Sequence, residues 1–149
     1  MYQFNLEILR KYRKRQEEKI QKDLSDLKRK LNHEKELLKD LKYTRDQIAI
    51  QKNKIQNGNF KAQENLLFYP YINQLDEQIK KQNLLAEKTN NKYRSKYDEL
   101  IQAVKKRKIM ETLKERGRKT YMSELNKREQ KNLDEMGIVG FQRENAKHA

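Results

Sequence analysis

The sequence predicts an all-α fold: a long antiparallel two-helix coiled coil with a short helical or irregular connection at its turn end. Three observations carry this. Residues 20–55 hold a heptad ladder, residues 72–110 hold a second, and a glycine- and proline-marked break separates them. A seam repeating every 3.5 residues lets one helix lie along another over many turns. Such a chain is built to touch other molecules along its length.

Helix one is expected over about residues 4–56. Stepping four, three, four, three from Ile20 gives Leu24, Leu27, Leu31, Glu34, Leu38, Leu41, Arg45, Ile48, Lys52 and Ile55. Eight of these eleven positions are apolar, where an overall apolar fraction of 34% would place about four. No Gly or Pro interrupts the chain between Phe4 and Ile55, and Asn57-Gly58-Asn59 is the first strong stop signal.

The connection is expected over about residues 57–70, with a short helix within Phe60–Phe68 and Pro70 opening the next helix. Phe60, Phe68, Tyr69 and Tyr71, with Leu66, Leu67 and Tyr43, gather at this end. They read either as packing of the connection onto the seam or as aromatic anchors for a partner.

Helix two is expected over about residues 71–136. Its ladder is Ile72, Leu75, Ile79, Gln82, Ala86, Thr89, Tyr93, Lys96, Leu100, Ala103, Arg107 and Met110, eight of twelve apolar. Beyond Met110 the apolar phase slips, Gly117 weakens the helix by about 1 kcal/mol relative to Ala, and order is expected to depend on a partner. Residues 137–149 are left as a tail open to disorder. The whole, 1–149, reads as a single coiled-coil hairpin whose second helix projects past the first.

Composition excludes several classes. Of 149 residues, 39% are charged, four are glycine, one is proline and none is tryptophan; mean hydropathy is −1.29. That is too little apolar matter for a globular core and enough for a narrow stripe; disorder, the other reading of such polarity, is countered by the sustained period. Without cysteine there are no disulfides or thiolate metal sites. The apolar run Leu66–Ile72 is too short for a bilayer, and Met1–Asn5 lacks a secretory pattern, so a cytoplasmic protein is expected. No phosphate-cradling glycine loop occurs, and neither His33 nor His148 has metal-ligand companions. No enzyme is expected, and no cofactor.

The charge of +14 is concentrated. Residues 8–22 and 105–119 together hold fifteen basic against four acidic side chains, a local +11. A hairpin turning between Asn57 and Tyr71 pairs residues whose numbers add to about 128, bringing 8–22 opposite 106–120 as one basic collar. Its candidate members are Arg10, Lys11, Arg13, Lys14, Arg15, Lys105, Lys106, Arg107, Lys108, Arg116, Arg118 and Lys119. So dense a collar repels itself and calls for an anionic neighbour, unless it is only a solvated lysine-rich face.

Three segments carry a family resemblance. They are the opening Phe4-Asn5-Leu6-Glu7-Ile8-Leu9-Arg10, the stretch Tyr71-Ile72-Asn73-Gln74-Leu75-Asp76-Glu77-Gln78-Ile79, and Arg128-Glu129-Gln130-Lys131-Asn132-Leu133-Asp134-Glu135. Their order and spacing resemble the FliJ family of flagellar type III export proteins, coiled-coil stalk components of the export ATPase complex. Met136-Gly137-Ile138-Val139-Gly140-Phe141 departs from that family's charged ending. The resemblance implies a non-enzymatic stalk serving flagellum biogenesis and motility. It would bind the export ATPase hexamer, the export gate's cytoplasmic domain and export chaperones, at the cytoplasmic face of the inner membrane at the flagellar base. It implies gate-facing candidates Leu41, Ile48, Tyr71, Leu75 and Gln78, of which Leu41, Ile48 and Leu75 also fit the seam. The alternatives are the equivalent stalk of a virulence secretion system, a basic nucleic-acid-binding coiled coil (pI about 9.8), and a self-associating scaffold.

Overall fold

The computed structural model describes residues 1–56 and 62–149, with side chains for all of these except residues 56 and 62–67. The fold is all-α. Helix α1 spans Glu7–Gln56 and helix α2 spans Ala62–His148, and the described residues contain no strand. Asn57-Gly58-Asn59 and Phe60 lie outside the described residues. Contacts divide the chain into two compact units, residues 18–102 and residues 1–17 with 103–149.

The helix bounds differ from the sequence expectation at three places. Helix α1 begins at Glu7 rather than near Phe4, because residues 4–7 form a turn in which the Glu7 N–H donates to the Phe4 carbonyl at 3.1 Å. A carboxylate in that first turn also suits the positive end of the helix dipole. Helix α2 begins at Ala62 and continues through Pro70. Pro70 is exposed, so the carbonyl deprived of its N–H partner can turn to water. Residues 137–148 continue α2 rather than forming a separate tail.

In the unit of residues 18–102 the helices pack antiparallel on the expected seam. Leu31 and Leu75 are each 5% exposed, and Ala86 and Thr89 are buried at other positions of the same seam. Ile20, Leu24, Leu27, Leu38, Leu41 and Ile48 are half-buried, as are Ile72, Ile79, Tyr93 and Leu100. A fully buried Leu contributes roughly 1.5–3 kcal/mol, offset in part by ordering entropy. Polar contacts trim the edges: Arg45 pairs with Asp76, Lys96 with Asp23 at 3.5 Å, and the Gln82 side chain donates to the Glu34 carbonyl at 3.1 Å. Glu34 is 4% exposed, and its Oε2 has no hydrogen-bond partner among the described residues.

In the unit of residues 1–17 and 103–149 the pairing is also antiparallel, but the seam is charged. Arg10, Arg13 and Glu17 continue the α1 ladder backward, and α2 opposes them with Ala103, Arg107, Met110 and Lys114. Arg107 pairs with Glu17, Arg10 with Glu111 at 3.1 Å, and Lys114 with Glu7 at 3.1 Å. Ala103 is the buried apolar residue here. The α2 ladder keeps its phase from Met110 as far as Tyr121. Steps of four, three and four reach Lys114, Gly117 and Tyr121, all half-buried. Two of those three are not apolar, which hides the phase from a search for leucines.

The register also differs. Cross-helix pairs such as Arg10–Glu111, Lys114–Glu7 and Arg45–Asp76 have numbers adding to 121, not about 128. The difference is one heptad. A seam that repeats every seven residues accepts either alignment, and the ion pairs distinguish them.

Candidate partner-binding site

All twelve collar residues fall in the unit of residues 1–17 and 103–149. They do not act as one uniform cationic ring. Arg10 is held by Glu7 at 2.6 Å and by Glu111, Arg107 by Glu17, and Arg118 by Glu115 at 2.9 Å. Those three guanidiniums are committed to the fold or to their own helix. Arg13 is half-buried, donates to the Gln16 side chain at 3.3 Å, and lies 5.9 Å from the Tyr12 ring centroid. Lys11, Lys14, Arg15, Lys105, Lys106, Lys108, Arg116 and Lys119 are exposed.

Titration follows the pairing. The hydrogen bond from Arg10, aided by Lys114 against the cost of burial, holds the Glu7 carboxyl down at about 2. Glu7 and Glu111 in turn keep Arg10 more firmly protonated than usual. Arg118 lowers Glu115 in the same way and is itself raised by it. Acidic side chains thus neutralise Arg10 and Arg107 in the seam-facing part of the collar, Arg13 there bonds to neutral Gln16, and the outer cations are left to solvent.

The start of the chain adds a contact that composition and charge did not anticipate. The Tyr2 ring packs against Tyr121 with centroids 5.8 Å apart, and its hydroxyl lies over Gly117. The Met1 ammonium donates to the Tyr121 hydroxyl at 3.2 Å. The usable signal was the step from Gly117 to Tyr121 at seam spacing.

The gate-facing candidates all fall in the unit of residues 18–102. Leu75 is buried in the seam, Leu41 and Ile48 are half-buried there, and only Tyr71, 47% exposed, and Gln78 face solvent. Tyr69 is exposed too, with the Lys52 ammonium 3.6 Å from its ring centroid.

A family model described as the flagellar FliJ protein matches residues 2–146. The chain belongs to the FliJ family. No curated protein and no solved structure matches it. FliJ proteins are non-catalytic components of the flagellar export apparatus, and membership places this chain in that complex. The match embraces the departing segment Met136–Phe141, so the unusual ending lies within the FliJ frame. No described helix of this FliJ chain is long and apolar enough to cross a membrane. Among the described residues no cluster of three or more His, Asp or Glu side chains is placed to hold a metal.

Proposed function

We propose that this FliJ chain is the stalk of the flagellar export ATPase, meeting the ATPase hexamer through the unit that holds both chain ends. The unit of residues 18–102 meets the export gate's cytoplasmic domain, with Tyr71 and Gln78 in contact, and emptied export chaperones are further partners. Its place is the cytoplasmic face of the inner membrane at the flagellar base. The observation that carries the reading is the eight exposed cations of the collar, gathered in one unit beside a seam in which Arg10, Arg107 and Lys114 are already paired with carboxylates. Outward positive charge of that density favours an acidic protein surface and speeds encounter with it.

The test is binding of the full chain to purified flagellar export ATPase at about 0.15 M salt, with ATP turnover followed in parallel. The expected result is saturable binding that weakens as salt rises, together with altered turnover. No binding, or binding indifferent to salt, ends the reading. Duplex DNA at the same salt is the comparison that tests the nucleic-acid alternative.

A further inference from the structure

The collar has two unlike flanks. Residues 1–17 and 103–120 contain four carboxylates: Glu7, Glu17, Glu111 and Glu115. Each helical residue advances by about 100° around the axis. With Arg10, Arg13 and Glu17 marking the α1 seam, Glu7 lies to one side and Leu9, Tyr12 and Gln16 lie to the other. With Arg107, Met110 and Lys114 marking the α2 seam, Glu111 and Glu115 lie to one side and Lys106, Ile109 and Leu113 to the other, with Arg116 behind them. In an antiparallel pair the same sense of rotation on both helices leads to the same flank. The contacts agree: Arg10 reaches both Glu7 and Glu111, and Lys114 reaches Glu7. Glu17 sits in the seam on Arg107. One flank therefore carries the other three acids, and the opposite flank carries none.

The acid-free flank is also the apolar one. Tyr12 is 52% exposed, Ile109 55% and Leu113 40%, with Leu9 half-buried beside them. Tyr12 is held in place: Gln16 donates to its hydroxyl at 2.8 Å, Arg13 donates to Gln16, and the Arg13 guanidinium lies near its ring. Lys106 and Arg116 border the strip, exposed and outside the ion pairs that hold Arg10, Arg107 and Arg118.

We propose that this flank docks an acidic amphipathic helix of a partner protein, with Tyr12 as its aromatic anchor. An apolar strip shared by two helices accepts the apolar face of a third, read at i, i+3, i+4 and i+7. Acidic residues on the edges of that third helix meet Lys106 and Arg116 with no carboxylate to repel them. A tyrosine already fixed by Gln16 and Arg13 loses little freedom on binding, which favours it as an anchor. Nucleic acid fits less well, because phosphates would satisfy the cations and leave Ile109 and Leu113 against a polar backbone. The name of the protein that supplies the helix rests on the ATPase reading above; the chemistry of the flank does not.

The test uses the full chain and two probes, purified flagellar export ATPase and a synthetic helix of about 20 residues with a leucine face and glutamate edges. Binding is read by fluorescence anisotropy at about 0.15 M salt, and helicity by circular dichroism. Tyr12→Ala with Ile109→Ser, and separately Lys106→Glu with Arg116→Glu, are expected to weaken binding by about tenfold or more at unchanged helicity. With the synthetic helix as probe, Lys14→Glu with Lys108→Glu, on the opposite flank, is expected to stay within about twofold. Should the first pair lose helicity, the charge pair carries the test alone. Equal losses on both flanks, no loss on either, or tighter binding of duplex DNA governed by the same residues would overturn the proposal. If the ATPase fails to bind but the synthetic helix binds in this pattern, the ATPase reading falls and the flank stands. If neither probe binds, both fall.

Discussion

The hydroxyl of Tyr2 stands where a β-carbon on residue 117 would be. Gly117 is thus the floor of a seat, closed on one side by Tyr121. This fixes the sign of a two-residue experiment. Gly→Ala inside a helix ordinarily adds about 1 kcal/mol. In the native background Gly117→Ala must evict Tyr2 and gains nothing net. In a Tyr2→Ala background the same change is expected to raise stability by about 1 kcal/mol. Denaturant unfolding of the four variants checks it, and equal effects in both backgrounds would refute the seat.

Two buried glutamates on the α1 seam are expected to respond oppositely to replacement by leucine. Glu17 is answered by Arg107, whereas Glu34 Oε2 has no hydrogen-bond partner among the described residues. Glu34→Leu removes an unsatisfied polar group and restores the ladder, so stability should rise by about 1–3 kcal/mol. Glu17→Leu leaves Arg107 without its seam carboxylate and should lower stability by a similar amount. Thermal and denaturant midpoints of the two single variants decide the matter.

Acid should loosen the unit that holds the chain ends through Glu7. Its carboxyl is held at about 2 in the fold, chiefly by Arg10, and returns to the ordinary carboxylate range, about 4.3, when the chain unfolds. A depressed folded value adds stability that is fully present above the ordinary range and fades as pH falls toward 2. Melting followed between about pH 6 and pH 2 should therefore show a flatter acid limb for Glu7→Gln than for the native chain. Parallel limbs would show that Glu7 is not the group responsible.

The gate-facing candidates should separate into two groups. Leu75→Ala empties a seam position 5% exposed and is expected to cost about 2–5 kcal/mol, with any loss of binding following from that. Tyr71→Ala and Gln78→Ala alter exposed side chains and should leave stability within about 0.5 kcal/mol. If these two contact the gate, its cytoplasmic domain binds them more weakly at native helicity, a result readable by calorimetry.

The ladder from Ile20 to Ile55 made α1 legible because eight apolar side chains repeat at one spacing. The start of α2 was less so. Pro70 reads as a helix opening, yet its exposed position lets the helix run through it. Register was ambiguous by one heptad, since leucine positions alone look alike after seven residues. Glu7 and Glu111 resolve it, and their partners on the opposite helix lie more than one hundred residues away in sequence. The collar was visible as a charge density, but its division into a paired flank and an acid-free flank was not. That division depends on where each of four glutamates sits about the seam, and hence on a seam that continues through Arg13, Arg107 and Lys114, residues no hydropathy scan selects.

The contrast between a charged seam around Glu17 and Arg107 and an aliphatic one around Leu31 and Leu75 has a practical consequence. Concentrated sulfate shields ion pairs, the Debye length falling to about 3 Å at 1 M ionic strength, while it strengthens the burial of hydrocarbon. One solute therefore relaxes the first set of contacts as it tightens the second. The charged contacts can be loosened while the aliphatic ones stay shut, without changing a single residue.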